Sequence, residues 1–206
     1  IGFCGSPWTL AAYSIEGGGS KDFKKTKNFM RDHPSALHDF LEILCDACYR
    51  YLRQQVLSGV NALQIFDSWA DLLSAQELEI FSLQYTKKIT KKLKSDPITK
   101  DIPIILFEKD PKQKITDLIF DDLSCISLHW KNDIEAISKS VKNNIAIQGN
   151  LNPMILSESD ETNYQEVQRI CSIMFEYPGF IFNLGHGITP DINPQKVQTM
   201  IKAARE

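Results

Sequence analysis

Short apolar segments alternate with segments of helical periodicity along the chain, and this alternation restricts the fold more than any other feature. The strand-like segments are Ile1–Cys4, Ala62–Phe66, Ile102–Phe107, Cys125–Leu128, Ile145–Gln148 and Phe180–Asn183. Several are apolar throughout, which is typical of strands covered on both faces. Alternating strands and helices indicate a parallel sheet with right-handed crossover connections.

The helical segments complete this pattern. The clearest repeats apolar residues at steps of three and four from Leu37 to Val56, and another extends from Leu78 to Leu93. Two more are predicted at Ser157–Phe175 and Pro194–Ala204, whereas Glu16–Lys21 is the most loop-like stretch. Six strands in 206 residues have the spacing of a barrel. The prediction is an α/β fold, a (β/α)8 TIM barrel that lacks its amino-terminal part, with an open sheet as the alternative.

The chain begins on strand-like Ile1 without a preceding Met, so we expect it to be the later part of a longer protein. A 206-residue chain that is 43% hydrophobic can bury a core, and we expect residues 1–206 to form a single partial domain. The net charge of −3 gives no basic face for nucleic acid. No apolar run approaches the roughly 20 residues that span a bilayer.

The cysteines have no disulfide framework spacing. There are five, and Cys45 and Cys48 form a CxxC pair on the apolar side of a helical segment, which predicts small core residues. Cysteines in strand-like and helical segments fit a reducing cytosol, so we expect a cytoplasmic protein.

Polar residues that follow predicted strands are the candidate site residues, because α/β enzymes keep their chemistry at the carboxyl ends of strands. His186 lies between Gly185 and Gly187, which leave room for a ligand around the imidazole. A histidine held by a local turn is the alternative.

Two further candidates carry hydroxyl groups. The Ser68 hydroxyl either donates to an anion or caps a helix N-terminus, and the sequence favours neither role over the other. Asp67, which precedes it, is interpreted as a helix-start residue rather than a buried carboxylate. Tyr13 follows the first strand, where its phenol can donate to a carboxylate or its ring can pack in the core.

Other site types are disfavoured. In Gly17–Lys21 (GGGSK) the order Ser-Lys is reversed relative to a phosphate-binding loop, and clustered metal ligands are missing at strand ends. All five arginines fall in helix-like segments, so this stretch provides no bidentate clamp for a polyanion at the strand ends.

Five segments together carry a resemblance to a known family. They are GSPWTLAAYSIEGGGSKDF, NALQIFDSWADLLS, IPIILFEKD, AIQGNLNP and FNLGHGITPDINP. In this order they resemble the uroporphyrinogen decarboxylase family, and the resemblance covers essentially all 206 residues. It implies a (β/α)8 barrel, usually a homodimer, which decarboxylates a tetrapyrrole without any metal or organic cofactor.

The resemblance also implies site residues. Tyr13, Ser68 and His186 match the family's substrate-binding tyrosine, hydroxyl and histidine, which would bind carboxylate arms of uroporphyrinogen. The family's catalytic aspartate and its carboxylate-binding arginines lie upstream of this chain, so none of the residues present is predicted to be catalytic. The isolated chain is therefore expected to be inactive, and its exposed strand edges invite association.

The chain departs from the family pattern at several strand ends. His129 stands where the family commonly has Asp, and Asn152 stands where Asp is expected. Glu108–Asp110 replaces a small residue, Lys and Gly, and Gln84 replaces a proline. The alternatives are a cobalamin-dependent methyltransferase with the same barrel, for which a His-x-Cys zinc pair is missing, and a non-catalytic fragment.

Overall fold

The computed structural model describes residues 1–141 and 145–206. These residues form two compact units, Ile1–Ser124 and Cys125–Glu206, which we call unit 1 and unit 2. Both units are built from parallel strands with helices between them. That the two belong to a single partial domain stays a prediction.

Unit 1 contains three strands and five helices. The strands are β1 (Gly2–Gly5), β2 (Leu63–Asp67) and β3 (Ile104–Glu108). The helices are α1 (Pro7–Glu16), α2 (Lys24–Asp32), α3 (Pro34–Leu57), α4 (Ala75–Leu78) and α5 (Gln84–Ser95). A π-helical turn at Glu79–Leu83 joins α4 to α5, and short 3₁₀ turns occupy Ala70–Leu72 and Ile115–Leu118.

The three strands of unit 1 are parallel and adjacent in chain order, with Cys4 opposite Ile65 and Asp67 opposite Glu108. One face of this sheet carries Leu63 and Ile65, which are fully buried. The helices bury matching residues, so the hydrophobic core of unit 1 lies between this face and the helices. The buried helical residues include Leu37, Leu41, Leu52, Leu78, Ile89 and Leu93.

Unit 2 repeats the arrangement with three parallel strands and three helices among its described residues. The strands are β4 (Cys125–Ser127), β5 (Ala146–Leu151) and β6 (Phe180–Leu184), paired in that order. The helices are α6 (Ile134–Val141), α7 (Asp160–Met174) and α8 (Pro194–Ala203), with a 3₁₀ turn at Pro153–Ser157.

Capping residues fix the ends of several helices. The Ser6 side chain accepts a hydrogen bond from the Thr9 backbone N–H at the start of α1, and Gly17 ends that helix at φ 83°. Ser159 caps α7 in the same way. The loop predicted at Glu16–Lys21 begins at this glycine and connects α1 to α2.

All six predicted strands form within one to three residues of their expected bounds, as do the helices predicted near Leu37–Val56, Ser157–Phe175 and Pro194–Ala204. The helix predicted between Leu78 and Leu93 is interrupted by the π-helical turn. Helices α1, α2 and α6 were not expected. None of the helices in the described ranges is both long and apolar enough to cross a membrane.

Candidate active site

Asp67 ends β2 as a fully buried carboxylate, so its interpretation as a helix-start residue is wrong. Its oxygens accept hydrogen bonds from the Thr9 hydroxyl, at 2.9 Å, and from the Ser82 hydroxyl. Burial raises the pKa of Asp67, and these hydroxyl donors oppose that shift. Because Thr9 belongs to α1 and Ser82 to the π-helical turn, this carboxyl ties both to the end of β2.

Ser68 occupies the turn that follows Asp67, half-buried, and it caps no helix. The adjacent 3₁₀ turn has Trp69 at its N-cap position, and α4 is capped by Ser74. The N-cap alternative for Ser68 is therefore wrong, and its hydroxyl makes no hydrogen bond within the described residues. A ligand is a suitable partner for such a hydroxyl.

Tyr13 lies on the last turns of α1 and packs against the turn that carries Ser68. Its ring contacts Trp69 edge-to-face at 5.7 Å between centroids and Phe23 at 6.5 Å, yet the side chain remains 38% exposed. The indole N–H of Trp8 donates to the Trp69 carbonyl at 3.0 Å, which joins α1 to this turn a second time. The phenol ring is thus held while part of the residue reaches solvent.

An aromatic row crosses the face of the unit 1 sheet that points away from the helices. The row consists of Phe3 from β1, Phe66 from β2 and Phe107 from β3. The ring centroid of Phe66 lies 6.1 Å from that of Phe3 and 5.9 Å from that of Phe107. Phe3 is 58% exposed and Phe66 is half-buried, whereas Phe107 is buried, so the row presents apolar ring surface at its β1 end. Sequence reasoning missed these residues. The available signal was one phenylalanine in each predicted strand, at a position whose side chain points away from the face with the apolar core residues.

Lys109 brings a positive charge to the same strand ends. Its ammonium lies 4.6 Å from the centre of the Trp69 ring and 3.1 Å from a carboxylate oxygen of Asp71. Its backbone N–H donates to the Asp67 carbonyl at 3.0 Å. Lys109 is a cation that a carboxylate ligand can approach, and it was not among the site residues predicted from the sequence.

Glu108, just before Lys109, is buried on the helical side of the sheet opposite Asp67. Neither of its carboxyl oxygens has a hydrogen-bond partner among residues 1–141 and 145–206. Burial raises the pKa of Glu108 well above its usual value, with the negative charges of Asp67 and Glu79 adding to the shift.

His186 is an exposed residue in unit 2, the second residue after β6. The preceding Gly185 donates from its backbone N–H to the Leu151 carbonyl at 2.8 Å and accepts from the Trp130 N–H at 3.3 Å. The ring of His186 lies 6.0 Å from that of His129. The loop segment that carries this candidate is therefore fixed to the end of β5 and to the segment that follows β4.

Asn152, which stands where an Asp was expected, has a local structural role. Its side-chain oxygen accepts from the Met154 N–H at 3.1 Å and caps the 3₁₀ turn. It also lines a cavity of about 500 Å³ between the start of α6, the end of β5 and α7. Asparagine at this position thus preserves the cap that an aspartate would make.

Cysteines and arginines behave as the sequence indicated. All five cysteines are free, Cys45 and Cys48 lie in the core on α3, and burial raises the pKa of Cys45 to about 11. None of the arginines follows a strand, and Arg53 pairs with Asp96 at 2.6 Å between α3 and the end of α5. In the described part of the chain, no three His, Cys, Asp or Glu side chains cluster to hold a metal ion.

Comparison with known proteins decides the family. The sequence model of the family described as "Uroporphyrinogen decarboxylase (URO-D)" matches residues 1–206. The chain belongs to the uroporphyrinogen decarboxylase family. Relatives named uroporphyrinogen decarboxylase include those of Hydrogenovibrio crunogenus, at 40% identity, and of Pseudomonas putida and Saccharophagus degradans, each at 41%.

Each of these alignments covers all 206 residues of the chain and 58% of the uroporphyrinogen decarboxylase it matches. Among solved structures, a methyltransferase from Methanosarcina mazei superimposes with a TM-score of 0.74 over 98% of this chain and 58% of its own. At 17% identity this likeness concerns the fold alone. Family and structural likeness confirm the α/β class and the partial barrel.

The candidate residues are therefore distributed over both units. Tyr13 packs against the turn that carries Ser68 in unit 1, and His186 belongs to unit 2. Their joint role in binding a substrate stays a prediction for this member of the uroporphyrinogen decarboxylase family.

Proposed function

We propose that this chain is the later part of a uroporphyrinogen decarboxylase, a carboxy-lyase of porphyrin and heme biosynthesis. The observation that carries the proposal is the match of the family model over residues 1–206. The curated relatives extend over a greater length, of which the chain spans 58%. We call the longer protein that would contain this chain the full-length protein.

The reaction would remove carbon dioxide from the four acetate side chains of uroporphyrinogen III and give coproporphyrinogen III. When an acetate arm loses carbon dioxide, the electrons of the broken carbon–carboxylate bond must be accepted by an electron sink. Protonation of the neighbouring pyrrole carbon makes the ring a cationic electron sink, which accepts these electrons as carbon dioxide leaves. Protonation of the new methylene, with loss of the proton first added to the ring carbon, then restores the pyrrole and leaves a methyl group. The substrate is its own sink, so the reaction needs no cofactor.

A site for this substrate must bind carboxylate arms at its rim and an apolar macrocycle at its floor. Tyr13 and Ser68 offer hydroxyl donors for the arms, and His186 offers an imidazole N–H donor. The Phe3, Phe66 and Phe107 row suits the ring system, and the exposed ring of Phe3 supports this assignment. Charge stabilisation at the centre falls to an upstream aspartate.

The remaining expectations belong to the full-length protein. It would be a cytoplasmic homodimer without a nucleic-acid or membrane partner. The 206-residue chain alone would be inactive, since the catalytic aspartate and the carboxylate-binding arginines lie upstream.

Substitution of the rim residues tests the assignment. In the full-length protein, Tyr13→Phe and Ser68→Ala should each raise KM for uroporphyrinogen about 10-fold or more, because each removes a hydrogen bond to a charged group. Steady-state assays with chromatographic separation of the oxidised porphyrins give KM and kcat. Ser14→Ala, an exposed serine on the same helix as Tyr13, is the matched control and should leave KM unchanged.

His186→Ala should weaken binding more than it slows chemistry. The variant would show a raised KM and a smaller change in kcat, since the imidazole binds a carboxylate arm and takes no part in the carbon–carbon cleavage. A large fall in kcat at unchanged KM would contradict this role. Normal KM values in all three rim variants would overturn the site assignment.

A further inference from the structure

Gly185 brings two backbone segments of unit 2 into direct contact. A Cβ at this position would lie 2.3 Å from the Trp130 backbone nitrogen and 2.6 Å from its Cα, so no other residue fits. The backbone N–H of Trp130 also donates a hydrogen bond to the Gly185 carbonyl at 3.3 Å. Because of this contact, the residues next to each partner, His129 and His186, face each other.

The two imidazole rings meet edge-to-face. Their centroids are 6.0 Å apart and their planes are inclined by 82°, a favourable geometry for aromatic pairs. The partners differ in exposure, since His129 is 3% exposed whereas His186 is an exposed residue. The His129 ring also lies 5.3 Å from the Trp130 ring. One ring is thus embedded and the other projects toward solvent.

Asn150 fixes the backbone beneath the embedded ring. Its side-chain N–H groups donate to the His129 carbonyl at 3.1 Å and to the Asn132 carbonyl at 2.8 Å. Asn150 is itself 5% exposed, so these bonds are shielded from competing water. Contacts therefore run from Asn150 through His129 to His186 within unit 2.

We propose that His129 is a positioning residue, whose ring holds the exposed imidazole of His186 in the orientation that binds a substrate carboxylate. The carboxylate ligand rests on the function proposed above, whereas the ring contact is independent of it. An imidazole loses less conformational freedom on binding a ligand when a neighbouring ring already restricts its rotation.

Nuclear magnetic resonance of the imidazoles tests the contact without an activity measurement. In the full-length protein labelled with ¹³C-histidine, ring protons of His129 and His186 should show a mutual nuclear Overhauser effect. His129→Leu should shift the His186 ring signals, because it removes the neighbouring ring, while His129→Phe should retain the restricted orientation. His33→Ala, an exposed histidine at the start of α3, should not move them. The absence of the Overhauser effect in the folded wild-type protein would overturn the proposal.

Kinetics then test whether the contact serves binding. His129→Leu should raise KM for uroporphyrinogen about 3- to 10-fold with kcat changed less than twofold, and His129→Phe should keep KM within twofold of wild type. An unchanged KM in His129→Leu would overturn the positioning role even if its His186 signals shift. A full-length protein without decarboxylase activity but with the ring contact would refute the proposed function and leave the contact standing.

Discussion

At the scale of single residues, Glu108 is the side chain whose surroundings fit its chemistry least. It is a carboxyl group buried in the core layer of unit 1, with no hydrogen-bond partner among the described residues and with Asp67 opposite it. Burial raises its pKa well above its usual value, so it remains protonated in the folded protein over a pH range in which it would ionise when unfolded.

Glu108→Gln should therefore change stability in a pH-dependent way. Since the folded pKa is raised, wild-type stability is fully present below pH 4.5, the usual pKa value, and falls as pH rises toward the folded pKa. Glutamine cannot ionise, so the variant should gain about 1–3 kcal/mol in free energy of unfolding at pH 8 and nearly nothing at pH 4. Urea denaturation of both proteins at the two pH values measures this difference.

Glu79→Gln is the matched control for the Glu108 prediction. Glu79 adds to the pKa shift of Glu108 through its charge, but it is exposed and pairs with Lys87 at 2.8 Å. Its substitution should change the free energy of unfolding by less than about 0.5 kcal/mol, as is usual at the surface. A gain for Glu108→Gln that is the same at pH 4 and pH 8 would contradict the assignment of a raised pKa.

Sequence reasoning at this scale selected Tyr13, Ser68 and His186 as candidates because they follow strands, and their role stays a prediction. It misjudged Asp67. An aspartate after an apolar strand commonly starts a helix. The Thr9 and Ser82 hydroxyls that keep Asp67 in the core come from segments 58 and 15 residues away in the chain. No local pattern encodes such partners.

At the scale of elements, the outer edge of β1 is covered by a side chain instead of a strand. The amide of Gln55 on α3 accepts from the Phe3 N–H at 2.9 Å and donates to the Phe3 carbonyl at 3.0 Å. These are the two backbone groups that β1 would offer to a neighbouring strand. Gln55 thus satisfies an edge that would otherwise be open.

Gln55→Leu should destabilise the 206-residue chain by about 1–3 kcal/mol and increase its self-association. The variant loses both hydrogen bonds between the Gln55 side chain and the Phe3 backbone, and the edge of β1 becomes available to another chain. Urea denaturation and light scattering measure the two effects. Gln54→Leu, an exposed neighbour on the same helix, is the control. In the full-length protein we expect a smaller effect, since an upstream strand would pair with β1. Equal behaviour of the two variants would refute the edge-capping role.

The elements themselves were predictable where they have a regular apolar period, as in α3, or a continuous apolar run, as in β3. Helix α2 was missed because Thr26 is its only buried residue. It is held by tertiary contacts, among them hydrogen bonds from the Thr26 backbone N–H and hydroxyl to the Glu16 carboxylate at 2.9 Å and 3.1 Å. Such contacts override weak local propensity.

At the scale of the whole molecule, the strand and helix order gave the fold class and the ordered motifs gave the family, both of which the comparisons confirm. The π-helical turn and the contact of Gly185 with Trp130 depend on packing between distant segments, so the periodicity of apolar residues does not predict them. The proposed chemistry depends on both units and on the upstream portion.

The most direct test is to incubate the full-length protein and the 206-residue chain separately with uroporphyrinogen III under reducing conditions and to separate the oxidised products by chromatography. We expect the full-length protein to produce coproporphyrin through intermediates that have lost one, two and three carboxyl groups, without added metal or cofactor, and the 206-residue chain to produce none. Failure of the folded full-length protein to remove any carboxyl group, or normal turnover by the 206-residue chain, would contradict this prediction.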